Sequence, residues 1–239
     1  MKIEMKYKRI LLKLSGEALM GKNDFGISAE AINNYAEEII EIHKQGIQVG
    51  IVVGGGNFYR GVQAKNTGIT KVSGDKMGML ATVMNALALR DVFEKLGVAT
   101  RVQTATVMPQ FAEIFTKEKA IKHLEKSRIV IFAAGTGNPY FTTDSAAALR
   151  AIEIDADILL KATNVDGVFD SDPKKNPDAK LLDTVTFSEC IAKKLNVMDM
   201  TAFTLCSENN IRIGVLNLHK KGNLLKFLEG EKIGSIVTN

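Results

Sequence analysis

Tryptophan is absent from this chain, aromatic residues make up only 6% of it, and 239 residues include just 4 prolines and 2 cysteines. Cys190 and Cys206 show no C-x-x-C spacing, so they form neither a zinc nor a redox motif and read as small buried hydrophobes. With 20 glycines, 46% hydrophobic and 24% charged residues, the composition excludes collagen-like, disordered and disulfide-scaffold chains. The longest nearly unbroken apolar run, residues 129–134, is far below the roughly 20 residues of a membrane-spanning helix. Lys2, Lys6, Lys8 and Arg9 precede an apolar run like the start of a signal peptide. Lys13 interrupts that run, whereas a signal needs about 7 to 15 apolar residues, which implies a cytoplasmic protein. The formal net charge of +4 is dispersed and favours an anionic small ligand about as well as nucleic acid. The length fits one large domain or two small ones.

The segments alternate in type. Residues 9–14 read as a buried strand stopped by Ser15-Gly16, with one charge, Lys13, inside it. Ser28 is an N-cap for a helix carrying Ile32, Tyr35, Ala36, Ile39, Ile42 and His43 at helical spacing, closed by Gly46. Residues 48–53 form a second strand running into Gly54-Gly-Gly-Asn57. A long helix is expected over residues 75–96, with Met77, Leu80, Ala81, Met84, Leu87 and Ala88 on one face. Strands at 99–104 and 128–133 flank a charged helix at 117–125, and a helix over 145–154 precedes a strand at 157–161. Residues 163–183 are loop-rich. Short helices near 188–195 and 201–209, a strand at 212–216, a helix near 222–228 and a strand at 235–237 complete the chain. This rhythm predicts an α/β fold with a mainly parallel sheet covered on both faces and ligands outside the carboxyl ends of the strands. No repeat or interdomain linker interrupts it, and the Pro-rich stretch near residue 173 divides it at most into two lobes.

Chemistry concentrates in the loops at those strand ends. An unpaired ammonium in a two-sided buried strand costs several kcal/mol, so Lys13 needs an anion nearby. A snorkelling lysine is the ordinary explanation, but Ser15-Gly16 directly after it can turn backbone amides toward the same anion. The three glycines at 54–56 let backbone approach a ligand, the following helix N-terminus would offer free N–H groups, and Arg60 could hold phosphate oxygens bidentately. Tyr59 breaks the dinucleotide pattern G-x-G-x-x-G, and neither a P-loop nor the protein-kinase signatures occur. The segment from Gly135 to Asp144 is dense in hydroxyls and amides that suit a ribose or a base edge, with a plain polar turn as the alternative. Asp75, Asp144, Asp166 and Asp172 lie at loop or helix-start positions, where carboxylates are more often caps than functional groups. His43, His123 and His219 are isolated and read as structural.

Five segments together resemble the bacterial uridylate kinases of the amino-acid kinase superfamily: Lys13-Leu-Ser-Gly-Glu-Ala18, Gly54-Gly-Gly-Asn-Phe-Tyr-Arg-Gly61, Gly74 to Asn85, Gly135 to Ser145, and Lys161 to Phe169. The resemblance runs essentially end to end. It implies a three-layer α/β/α sandwich, a single amino-acid kinase domain over 1–239, and a homohexamer. It divides that domain into a UMP-binding lobe over about 1–160 and an ATP-binding lobe over about 161–239. It places Lys13, Leu14, Ser15, Gly16, Gly56 and Arg60 at the ATP phosphates, and Thr163, Asn164, Phe169 and Asp172 on the adenosine side. Gly55 and Asp75 would hold UMP, joined by the loop Thr136, Gly137, Asn138, Pro139, Tyr140, Phe141, Thr142 and Thr143. Lys13, Arg60 and Asp144 are the catalytic candidates. Phe169 stands where the family often has tyrosine, losing one hydroxyl. Residues 21–26 match a segment associated with GTP activation in some members. Other branches carry a second lysine late in the chain, whereas Val197-Met-Asp-Met200 has Asp199 and no lysine, leaving Lys161 as the substitute.

The implied reaction moves the γ-phosphoryl group of ATP to UMP, with Mg²⁺ bridging ATP oxygens and UTP as a feedback inhibitor, in pyrimidine nucleotide biosynthesis. The acceptor is already anionic near neutral pH, so no general base is required, and catalysis reduces to positioning and charge neutralisation. Two alternatives stay open: a relative forming an acyl or carbamoyl phosphate, and a non-catalytic pyrimidine-nucleotide sensor that contacts DNA or protein. No membrane and no nucleic acid are required.

Overall fold

Strand β1 is Arg9–Leu14, and the turn at Ser15 leads directly into a one-turn helix, α1 (Gly16–Met20). The computed structural model describes residues 5–59, 68–173, 175–195 and 197–239. Helix α2 (Ala29–Lys44) begins at Ser28, whose side chain accepts from Ala31 N–H, and carries Glu30 in its first turn and His43 and Lys44 in its last. Both ends thus suit the helix dipole. Then follow β2 (Gln48–Val53), α3 (Lys71–Lys95), β3 (Thr100–Thr104), β4 (Glu113–Ile114), α4 (Lys117–Glu125) and β5 (Ile129–Ala133). The second half contains α5 (Thr143–Glu153), β6 (Ile158–Thr163), β7 (Val168–Phe169), β8 (Leu181–Leu182) and β9 (Thr184–Thr186). The chain closes with α6 (Phe187–Ala192), α7 (Met200–Glu208), β10 (Arg212–Asn217), α8 (Asn223–Leu228) and β11 (Ser235–Thr238).

Among the described residues, nine strands form one sheet in the order β4-β3-β5-β2-β1-β6-β10-β11-β9. Every neighbouring pair is parallel except β10 with β11. Strands β7 and β8 make a separate antiparallel ribbon. Side chains alternate between the two faces. Ile10, Leu12 and Leu14 of β1 pack in one cluster with Ile39 of α2, Phe93 of α3 and Phe227 of α8. Leu11 packs in the other with Leu124 of α4, Ala147 and Ala151 of α5 and Phe203 of α7. Helices therefore cover both faces, the three-layer α/β/α arrangement expected from the sequence. Each fully buried leucine or isoleucine in these layers contributes about 1.5–3 kcal/mol. Cys190 and Cys206 are buried free thiols, and burial raises them to about 11 and about 12.

The structure corrects three local expectations. Helix α3 starts at Lys71 with Thr70 as its cap, four residues earlier than expected. Its expected core face is only half right: Ala81 is buried and Leu87 and Ala88 pack against the core, but Met77, Leu80 and Met84 are 40%, 52% and 46% exposed. The inner face is instead small and partly polar, with Ala81, Thr82, Asn85, Ala86, Leu89 and Phe93 buried. Helix α5 starts at Thr143 rather than at Ser145, because Thr142 caps it by accepting from the N–H groups of Asp144 and Ser145. No described helix is long and apolar enough to cross a membrane.

Candidate active site

Strand alternation aims Lys13 at the α5 side of the sheet, the side of Leu11. The same alternation on β6 puts Leu159 and Lys161 on that side. In the parallel register of β1 and β6, Lys13 lies opposite Lys161, so two ammonium groups rise side by side from strands about 4.8 Å apart. The strand order reverses here, with β2 on one side of β1 and β6 on the other, the position where open α/β sheets bind ligands.

The first turn of α5 supplies the counter-charge. Asp144 Oδ1 lies 2.7 Å from Lys13 Nζ, and its Oδ2 lies 2.9 Å from Lys161 Nζ. Lys161 Nζ also donates to Val197 O at 2.6 Å, so Lys161 reaches the segment where a late lysine was sought. Burial alone would raise the Asp144 carboxyl, but the charges of Lys13 and Lys161 outweigh it and hold the group below the usual carboxylate range. Burial drives Lys161 down, Asp144 pulls it back up and Lys13 pushes it down again, leaving it below the ordinary lysine value. The triad itself carries two cations on one carboxylate, and the nearby Asp199 carboxylate adds a further negative charge acting on Lys161.

Asp199, a residue that sequence patterning left without a role, fixes the helix that carries Asp144. It caps α7 by accepting from Ala202 N–H and also accepts from the hydroxyls of Thr142 and Ser145. Its only sequence signal was a cap-type residue in front of an apolar helix.

Two cavities flank this segment of the fold, and Lys13 and Lys161 line the larger. The larger, of about 980 Å³, is lined by Lys13, Ser15, Glu17, Lys161, Thr163, Asn164, Phe169 and Asp172, along with Tyr35, Lys193 and His219. The smaller, of about 140 Å³, is lined by Gly55, Gly56, Tyr59, Asp75, Thr136, Phe141, Thr142 and Thr143. Thr143, in the small cavity, precedes Asp144, which binds the lysines of the large one. Gly16 marks the contact between them: a Cβ there would come within 2.6 Å of Gly56 N and of Asn57 Oδ1. Only glycine permits the loops after β1 and β2 to touch in this way.

Most of the candidate residues from the sequence line one cavity or the other. Leu14 is buried in the core, and what it offers is its carbonyl, which accepts from Gly54 N–H at 2.8 Å. Gly16 is buried at the contact between the loops. Gly137, Asn138, Pro139 and Tyr140 lie outside the lining of the small cavity, with Tyr140 71% exposed. Arg60 lies outside the described residues. Asp166 faces Lys220 and Asn217 instead of a cavity. Asp75 accepts from Lys71 Nζ at 2.6 Å and from Tyr140 N–H at 2.8 Å. Burial would raise its carboxyl, but these two donors hold it below the usual value.

A cationic cluster at the switch point of a mainly parallel sheet, between a nucleotide-sized cavity and a smaller one, defines a phosphate-handling protein of the α/β class. Residues 8–217 match the model of the amino acid kinase family, and the chain belongs to that family. The UMP kinase of Bacillus anthracis superposes with a TM-score of 0.95 at 37% identity, over 97% of this chain and 96% of that one. The UMP kinase of Ureaplasma parvum gives 0.93 at 42% identity, over 98% and 100%. The uridylate kinase of Archaeoglobus fulgidus is more distant, at 0.73 and 28% identity, over 96% and 99%.

Proposed function

We propose that this protein is a UMP kinase, transferring the γ-phosphoryl group of ATP to UMP to give UDP and ADP. The observation that carries this is the Lys13–Asp144–Lys161 cluster, whose two lysines line the large cavity and whose carboxylate follows Thr143 of the small one. ATP would occupy the large cavity and UMP the small one, dividing the chain into lobes near residue 160. The bond from the γ-phosphorus to the ADP oxygen breaks, and a bond from a UMP phosphate oxygen to that phosphorus forms. That acceptor, with a second pKa of about 6, is anionic at neutral pH and needs no proton removed.

The barrier is repulsion between polyanions, since two unit charges about 4 Å apart cost about 4 kcal/mol at an effective dielectric near 20. Lys13 and Lys161 oppose that repulsion, and Asp144 holds them parallel so that their charge is in place before substrates arrive. The donor chemistry fits magnesium carried by the nucleotide. Both oxygens of Asp144 are held by lysines, which leaves Glu17, Asp170 and Asp172 in the cavity lining as carboxylates that would reach the ion through water. Mg²⁺ so held supplies further charge neutralisation at the phosphates. The hexamer, the cytoplasmic setting, a place in pyrimidine nucleotide biosynthesis and UTP as feedback inhibitor complete the proposal. The exposed stripe Met77, Leu80 and Met84 on α3 supports self-association.

ADP release measured with Mg-ATP and each nucleoside monophosphate in turn is expected to select UMP. Equal rates with all of them, or none with UMP, would reject the assignment.

Two further results are expected. Asp75→Asn keeps the size of the side chain but loses its charge on Lys71 and on the acceptor loop. It should raise KM for UMP about tenfold and leave KM for ATP unchanged, the scale of one charge-assisted hydrogen bond; a change in KM for ATP alone contradicts this. Lys161, depressed below the ordinary lysine value, loses its proton first as pH rises. The alkaline limb of kcat should therefore fall below the range of a normal lysine. Residual activity of Lys161→Arg, whose side chain stays charged, should carry that limb to higher pH. Coincident limbs in the two forms would detach it from Lys161.

A further inference from the structure

Two buried polar side chains on α3, Thr82 and Asn85, lie three positions apart and therefore on one edge of the helix. They are 2% and 0% exposed, and groups so buried need partners. Thr82 Oγ1 donates to Met79 O at 2.6 Å and accepts from Ala134 N–H at 2.8 Å, at the head of the loop after β5. Ala134 has φ of 62°, a left-handed conformation that a residue with a Cβ keeps only when its surroundings hold it.

Asn85 Nδ2 donates to Gly54 O and to Asn57 Oδ1, both at 2.7 Å, and Asn57 Nδ2 donates back to Asn85 Oδ1 at 2.9 Å. Asn57 Nδ2 also donates to Gly26 O at 2.8 Å. Between these anchors the glycine loop lies flat against the helix, since a Cβ on Gly55 would stand 2.7 Å from Gly78 O. One helix edge thus grips the loop after β2 and the loop after β5. Those loops supply Gly55 and Gly56 on one wall of the small cavity and Gly135 and Thr136 on the other.

Taking the small cavity as the UMP site, we infer that Thr82 and Asn85 are positioning residues that set its width. Thr82 also lines the small cavity, but its hydroxyl is bonded on both sides to backbone and so acts through Ala134, while Asn85 acts through Gly54 and Asn57. Loss of either grip lets one wall shift and should affect the acceptor more than ATP, because neither gripped loop, 54–57 or 134–137, lines the large cavity.

Thr82→Val keeps the shape and removes the oxygen. It is expected to raise KM for UMP about tenfold or more while KM for ATP stays within about twofold, because misplacement by a fraction of an ångström acts on the misplaced partner. Thr82→Ser should restore most of the parental KM for UMP, and Asn85→Ala should show the same split as Thr82→Val. Equal shifts in both KM values, an unchanged KM for UMP, or no rescue by serine would overturn the inference. Hydrogen exchange on the unaltered protein covers the case in which the variants do not fold. The Ala134 amide should exchange as slowly as those inside β5, and exchange as fast as that of the exposed Asn138 overturns the grip. An unaltered protein that releases no ADP with UMP rejects the kinase assignment itself. An active parent with unaffected variants rejects only the positioning role.

Discussion

Lys13→Ala is expected to lower kcat by about 10²- to 10³-fold while the protein stays folded, the scale of removing one preorganised donor from a transition state. The expectation of intact folding follows from the cluster's charge balance. Asp144 keeps Lys161 as its partner at 2.9 Å, so no carboxylate is stranded, and a triad with two cations and one anion becomes neutral. Lys13 lies on β1 between two parallel neighbours, and alanine keeps every backbone hydrogen bond of that strand. A melting temperature within a few degrees of the parent, together with lost turnover, would place the role of Lys13 in the chemistry. The KM values divide the possibilities further. A fall in kcat and kcat/KM together marks an interaction made in the transition state, whereas a raised KM for ATP alone would reduce Lys13 to ground-state binding. A folded variant with near-parental kcat would remove Lys13 from the mechanism.

The anomaly that led to Lys13 was visible in one strand: an apolar run with a charge inside it, followed by Ser15-Gly16. Its partners were not visible in the same way. Lys161 becomes a neighbour only through the register of β1 against β6, and Asp144 only through the cap that starts α5 at Thr143. Long-range register leaves no periodic trace in either segment, so the sequence presented the three residues as separate features joined only by family resemblance. Core strands such as β5 were legible because five buried apolar residues in a row have few other uses.

The inner face of helix α3 was only half legible, for a physical reason. It is apolar on two sides, and the larger residues Met77, Leu80 and Met84 sit on the outer one, while its inner face uses alanine, threonine and asparagine to pack close to glycine loops. Size and hydropathy point to the wrong face where backbone must approach backbone. The five-residue α1 and the two-residue β4, β7 and β8 are too short for any period to show. Asn85 and Thr82, polar residues in a helix interior, were the available signal for the grip on both loops, since buried polar groups there require partners.

Asp144→Ala should produce the largest loss of stability of any substitution at the site. Lys13 and Lys161 stand opposite one another in the strand register, with side chains 10% and 19% exposed, and without Asp144 they face each other with no anion between them. Removing one partner of a buried ionic cluster costs about 3–5 kcal/mol, a large part of the 5–15 kcal/mol that holds a typical domain together. For a chain of this size the fall in melting temperature is on the order of 10 °C. The sign of the pH dependence distinguishes this from a simple cavity. Two mutually repelling lysines have folded-state pKa values below their unfolded ones, so the unfolded variant binds more protons and its stability should rise toward alkaline pH. In the parent the depressed Asp144 acts in the acid range: its contribution is complete above the ordinary carboxylate pKa and is lost as pH falls through the lower folded value. Adding Lys161→Met to Asp144→Ala removes one of the two opposed charges and should recover much of the lost stability without recovering turnover. Denaturant melts of the single and double variants at two pH values test both points. A single variant as stable as the parent at neutral pH, or a double variant less stable than the single, would show that Asp144 does not hold the two lysines together.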